Sequence, residues 1–130
     1  MRADLITQSL ELAATRAPDL TPLVYARLFA ERPELAPMFG ANPRLVQGEM
    51  LARALETILD FVGERSGKYR LIVSEVHSHD DYGTSRELFT GFFAVIMRTL
   101  QDVLGPDWTS EMERAWRDLL REIDSVVTAA

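Results

Sequence analysis

His77 and His79 are the chain's two histidines, and it has no cysteine. Thiolate chemistry and disulfides are therefore excluded, and the side chain best suited to a transition metal is a neutral imidazole. Residues two apart on a helix point about 200° from each other, so His77 and His79 cannot serve one metal from one side. Either one also reads as a surface histidine near a helix end. Neither belongs to a Ser/Asp constellation, and no H-E-x-x-H pair of zinc ligands occurs, so conventional hydrolysis has no support. Two further polar groups interrupt apolar stretches. Tyr25 lies in Val24-Tyr25-Ala26-Arg27-Leu28-Phe29, and Gln47 precedes Leu51 by four positions. Phe39 falls between them, 14 residues after Tyr25 and 8 before Gln47. Taken singly these have ordinary roles: a half-buried tyrosine with its hydroxyl in water, and a core phenylalanine.

Composition limits the partners. Fourteen basic residues against twenty acidic ones give a formal charge of −6. Nucleic acid and anionic membrane both call for a basic footprint, so neither is expected; the acidity fits a soluble surface. With 130 residues, 47% of them hydrophobic, the chain is expected to form a single domain over 1–130 with a sizeable core. No low-complexity segment or internal repeat is visible. The start, Met1-Arg2-Ala3-Asp4-Leu5, does not read as a signal peptide. No apolar stretch is expected to reach the ~20 residues of a membrane span, and the cytoplasm is the expected compartment.

Apolar residues recur at helical spacing almost throughout. A first helix is expected from about Ala3 to Arg16, interrupted by Pro18-Asp19. Thr21-Pro22 reads as a hydroxyl cap followed by proline at the first helical position, opening a second helix with Leu23, Val24, Tyr25, Leu28 and Phe29. Pro33 starts a short turn of helix ending near Phe39-Gly40. After Asn42-Pro43, a long helix is expected over Arg44 to Val62, then a break between Gly63 and Gly67, then a helix from about Tyr69 to Ser78. Thr84-Ser85-Arg86-Glu87 reads as a capping box for a sixth helix whose apolar face is Leu88, Phe89, Phe92, Phe93, Ile96, Leu100, Val103 and Leu104. Gly105-Pro106 stops it. Thr109 or Ser110 caps the last, with Met112, Trp116, Leu119, Leu120, Ile123 and Val127 inward. Seven helices with short connections suit many bundles; what separates them is the polar residues on apolar faces.

In that setting the ordered set Tyr25, Phe39, Gln47, Leu51, His79 and Phe89 resembles the haem pocket of bacterial single-domain globins and of the globin half of flavohaemoglobins, over nearly the whole chain. The resemblance implies an all-α, three-over-three globin fold, since the Gly-Gly pairs of truncated globins are missing and the first helix is present. It implies haem b, with His79 as the iron ligand: Tyr82-Gly83 follow at +3 and +4 and Phe89 at +10, whereas His77 would put Glu87 at +10. Phe39, after Pro37-Met38, would pack flat on the porphyrin. Tyr25 would aim its hydroxyl at the bound gas, with Gln47 and Leu51 as the distal pair; Tyr82 is counted among the haem contacts. Sliding the distal helix by three residues puts Met50 over the iron and Arg53 near the propionates, above an apolar face of Ala54, Ile58 and Val62.

The implied function is reversible binding of dioxygen or another diatomic gas (NO or CO), tight and slow to release, rather than enzymatic turnover. Flavohaemoglobins carry a tyrosine at the +10 aromatic, paired with a glutamate; Phe89 has no hydroxyl. No reductase segment lies within these residues, so NO dioxygenation is expected only with an external reductase. A different class stays open: a haemless globin-fold sensor or protein-interaction module, in which Tyr25, Gln47 and His79 are structural. A ligand-free helical bundle is the third reading.

Overall fold

Proline and glycine divide the chain where the sequence places them. In a computed structural model, which describes residues 2–39, 43–63, 70–81 and 84–130, the elements are α1 (Ala3–Arg16), α2 (Thr21–Glu31), a 3-10 segment (Pro33–Phe39), α3 (Pro43–Val62), α4 (Arg70–Asp81), α5 (Arg86–Leu104), a second 3-10 turn (Gly105–Asp107) and α6 (Ser110–Ala129). No strand occurs among the described residues. Tyr69, Tyr82, Gly83 and the loop glycines Gly40 and Gly67 lie outside the described residues.

The helix ends differ from the expected caps in instructive ways. Thr21 is the first residue of α2, not its cap; its backbone N–H donates to Asp19 Oδ1 at 3.0 Å, so the carboxylate before Leu20 satisfies an orphan donor of the first turn. The cap of α5 is Ser85, whose hydroxyl accepts from Leu88 N–H at 3.1 Å. That moves the cap one residue past Thr84 and leaves Glu87 without a capping-box role. Thr109 caps α6, accepting from Met112 N–H at 3.1 Å. Helix α4 runs three residues beyond Ser78, because the Thr84 N–H closes back on the His79 carbonyl at 3.0 Å. His79 therefore sits in the last turn of α4. Gly105 ends α5 with φ of 51°, a left-handed conformation that glycine adopts without a Cβ clash.

The helices form two layers of three. α1, α3 and α4 lie over α2, α5 and α6; α1 packs on α5 and α6, α4 on α6 and α5, and α2 on α5 and α3. α5 is the shared element. Phe93, Val95, Ile96, Met97, Thr99, Leu100 and Leu104 are all buried, so the helix is covered nearly all round instead of on the single face read from its periodicity. The stretch Arg86–Asp107 is long and apolar enough to cross a membrane by length and composition, contrary to the expectation that no stretch is. Its packing against four other helices accounts for that apolarity by burial in a protein core.

Where α1 meets α6 the core contains one polar chain. Trp116 is fully buried, and its indole N–H donates to Ser9 Oγ at 2.9 Å; the Ser9 hydroxyl donates in turn to the Ile6 carbonyl at 2.7 Å. The Trp116 N–H is satisfied only while the two helices keep their spacing; the Ser9 donor is satisfied within α1 itself. Ser9→Ala leaves the Trp116 N–H buried without its acceptor and should destabilise the protein by about 1–3 kcal/mol, read as a lower urea midpoint at unchanged slope. Adding Trp116→Phe should cost less in the Ser9→Ala background than alone; strict additivity would show the bond contributes nothing.

Candidate functional site

The site is best built outward from α5. Phe89 and Phe92 are three residues apart and so share one side of the helix. Phe89 meets His79 of α4 with ring centroids 5.0 Å apart at 65°. Phe92 meets Tyr25 of α2 at 5.7 Å and 46°. One strip of α5 thus touches both the histidine and the tyrosine that the sequence singles out.

His79 and His77 separate as their spacing requires. His77 is exposed; the His79 side chain retains 27% of its accessible surface and lies against Phe89, which in turn packs on Phe93 at 5.6 Å. His79 Nδ1 is 2.7 Å from the backbone carbonyl of Glu75, one turn earlier. A carbonyl oxygen only accepts, so Nδ1 must carry the hydrogen. In the neutral ring this leaves Nε2 with its lone pair free for a metal. The Glu75 carboxylate is turned elsewhere: Oε1 is 3.0 Å from Arg53 Nη1, and Oε2 stays 4.0 Å from His79 Nδ1.

Tyr25 is 2% exposed, and its hydroxyl has no hydrogen-bond partner among the described residues. Glu113 Oε2, the other buried oxygen without a hydrogen bond among the described residues, lies 2.6 Å from Arg117 Nε, which leaves the Tyr25 hydroxyl as the unmatched group. Burial pushes its ionisation well above the usual tyrosine range, so at neutral pH it is an O–H donor. Its ring is boxed by Phe29 (5.8 Å), Phe39 (5.3 Å) and Phe92. Phe39 is buried and meets Tyr25 edge-on at 87° and Phe29 at 72°. On the surface above, Arg27 pairs with Asp102 and Glu31, and Arg98 pairs with Glu31 at 2.6 Å. This network spans α2 and α5 and fixes the crossing that carries Tyr25, although each exposed pair is worth only about 0–1 kcal/mol.

On α3, Leu51 is 3% exposed, while Gln47 and Met50 are half-buried. Arg53 reaches across to Glu75 of α4. With about 100° between successive residues, Met50 and Thr57 share the Arg53 edge, whereas Gln47 lies nearer Leu51. The Leu51 side borders a groove of about 660 Å³ toward α1, lined also by Leu10, Leu20, Gly48 and Leu55. Neither Gln47, Tyr25 nor His79 lines it.

The structure thus brings Tyr25 and Phe39 into one aromatic cluster and His79 and Phe89 into another, joined along α5. Gln47 belongs to neither cluster, and Tyr82 lies outside the described residues. Three participants were not singled out from the sequence: Phe29, Phe92 and Glu75. Each had a signal in helical spacing, at Tyr25 +4, Phe89 +3 and His79 −4.

Tyr25→Phe removes a buried donor that nothing in the ligand-free protein satisfies, so it should raise the stability of that form by on the order of 1 kcal/mol. Urea unfolding checks this; a loss of stability would show that the hydroxyl has a protein partner after all.

The globin family model matches residues 23–127, from α2 into the last turn of α6, covering both aromatic clusters. Comparisons with curated proteins and with solved structures return no match. The match takes in most of the chain, and its helix order and two-layer packing are those of an all-α globin fold: the chain belongs to the globin family.

Proposed function

We propose that this chain binds haem b, with His79 Nε2 as the iron ligand and the Tyr25 hydroxyl as the hydrogen-bond donor to a diatomic gas. The observation that carries this reading is the pair of unmatched groups at the two ends of one α5 strip: an imidazole whose Nδ1 is already engaged, and a buried hydroxyl with nothing to bond. A protein interior seldom leaves such a hydroxyl unsatisfied, and a polar ligand would satisfy it. Haem, when bound, would be held by the His79 imidazole and would supply an iron able to bind a diatomic gas.

The residues divide the work accordingly. Glu75 O fixes the His79 tautomer and ring direction through Nδ1. Phe89 closes one face of the imidazole without offering a hydrogen bond. The Tyr25 hydroxyl would be the hydrogen-bond donor to the gas. A hydrogen bond to a charged acceptor is worth roughly 1.5–3 kcal/mol, which slows release by about ten- to a hundredfold. Tight, slow-releasing oxygen binding follows; NO dioxygenation would draw electrons from an external reductase.

For the distal helix, the Arg53–Glu75 bridge favours the second register. The edge of α3 that reaches α4 is the one bearing Met50 and Arg53, so Met50 is the better candidate to stand over the iron, with Gln47 displaced toward Leu51. Dioxygen off-rates separate the two. Tyr25→Phe should speed release at least about tenfold. Gln47→Leu should leave the rate within about twofold, well short of one lost charged hydrogen bond; a tenfold rise would restore Gln47 as the second donor.

The primary test is an absorption spectrum after one equivalent of hemin. Wild type and His77→Ala should give a sharp Soret band that shifts on reduction and with carbon monoxide; His79→Ala should lose or alter it. A wild-type spectrum indistinguishable from free hemin would identify a haemless globin module instead.

A further inference from the structure

Arg86, the first residue of α5, makes more cross-element bonds than its surface position would suggest. Nη1 donates to the carbonyls of Val127 and Ala130 at 2.8 Å each, and Nη2 donates to Asp80 Oδ2 at 2.9 Å. One planar guanidinium therefore joins the start of α5, the last turn of α6 and the last turn of α4. The two carbonyl acceptors lie at the negative end of α6, where a cation is most favourable; the Val127 carbonyl also accepts the Ala130 N–H at 3.3 Å. Asp80 directly follows His79.

The last turn of α4 depends on such ties. The described apolar anchors of α4, Ile72 and Val76, both precede it, whereas His77, Ser78, Asp80 and Asp81 are exposed. Beyond Val76, three contacts hold the direction of this turn: the Phe89 ring, the Thr84 N–H on the His79 carbonyl, and the Arg86–Asp80 bridge. Thr84 and Ser85 lead into α5 itself, whereas the Arg86 guanidinium ties the turn to α6.

We propose that Arg86 is a positioning residue for His79: by clamping Asp80 to the last turn of α6 it fixes the direction in which Nε2 points. This rests on His79 being the haem ligand. Lysine could not reproduce the clamp, because an ammonium lacks the fixed fork that serves both acceptor groups.

The test uses the full chain with Arg86→Ala, Arg86→Lys and Asp80→Asn. In the ligand-free protein, amide hydrogen exchange is followed at His79, Asp80 and Asp81. In hemin-loaded protein, the ferrous iron–histidine stretch is read by resonance Raman and hemin loss to a scavenger globin is timed. All three variants should speed exchange in that turn, shift or broaden the iron–histidine stretch, and accelerate hemin loss by about 10–100-fold, the usual range for removing an outer-shell partner. A lowered unfolding midpoint with the stretch and local exchange unchanged would overturn the proposal, leaving Arg86 a purely structural tie. If Arg86→Ala does not fold, Asp80→Asn decides by the same criteria. Should His79→Ala retain the wild-type iron–histidine stretch, the ligand assignment has failed and this proposal with it; exchange in the unliganded protein still shows separately whether Arg86 orders the turn.

Discussion

Burial of α5 is the constraint on which the other positions depend. A helix covered by α1, α2, α4 and α6 can tolerate few changes in rotation, since any turn about its axis would expose residues such as Ile96, Leu100 and Leu104, which are 0% exposed. Close-packed interiors do not deform gradually. The rotation of α5 therefore sets where Phe89 and Phe92 point, and through them where the His79 and Tyr25 rings rest. Two residues 54 positions apart in sequence are registered by one strip of one helix.

Against that rigid frame, the Tyr25 hydroxyl is the feature that folding alone does not justify. A phenylalanine there would keep every ring contact and remove a desolvated donor. Under the proposed reading, stability and ligand binding would pull in opposite directions at this position, as is common where a site is held ready for a partner. The contrast with Thr57 and Thr99 is instructive. Both are buried hydroxyls on helices, and both bond back to the carbonyl four residues earlier, at 2.8 Å. A tyrosine hydroxyl lies too far from its own backbone for that local solution, so it must find a partner across the core or from a ligand.

Element order was legible because punctuation and periodicity act locally. Pro18, Pro33, Pro43 and Gly105-Pro106 end or begin helices by steric rules that need no tertiary knowledge, and Leu119, Ile123 and Val127 mark the inner face of α6 directly. What stayed illegible required contacts across the fold. Ser85 displaces Thr84 as the cap, and α4 extends past Ser78 because Thr84 returns to the His79 carbonyl; neither is encoded in residue preference, since serine and threonine cap almost equally well. The all-round burial of α5 hid behind a pattern that already satisfied one face. For the candidate site, type and spacing picked out Tyr25 and Phe39, whose rings meet in one cluster, and His79 and Phe89, whose rings meet in another. The distal register could not be read this way, because Gln47 and Met50 differ by less than a fifth of a turn, and only the reach of Arg53 to Glu75 distinguishes their edges.

The proximal hydrogen bond also bears on the kind of chemistry this pocket suits. A carboxylate accepting from Nδ1 gives the imidazole anionic character and makes it a stronger donor to a metal. Here the acceptor is a neutral carbonyl, while the nearest carboxylate, Glu75, is engaged by Arg53 and stands 4.0 Å away. Phe89 occupies the position where a hydroxylated aromatic could have added a further bond. On the proposed reading the imidazole would ligate through Nε2 without a carboxylate partner on Nδ1, a setting that suits holding and releasing a gas with its internal bond intact. Electron-rich ligation, by contrast, favours cleavage of that bond. The Arg53–Glu75 pair then has a second consequence beyond bridging α3 and α4. By drawing the carboxylate away from Nδ1, it leaves the neutral Glu75 carbonyl as the acceptor from His79, and under the proposed haem reading control over gas affinity would then rest with Tyr25.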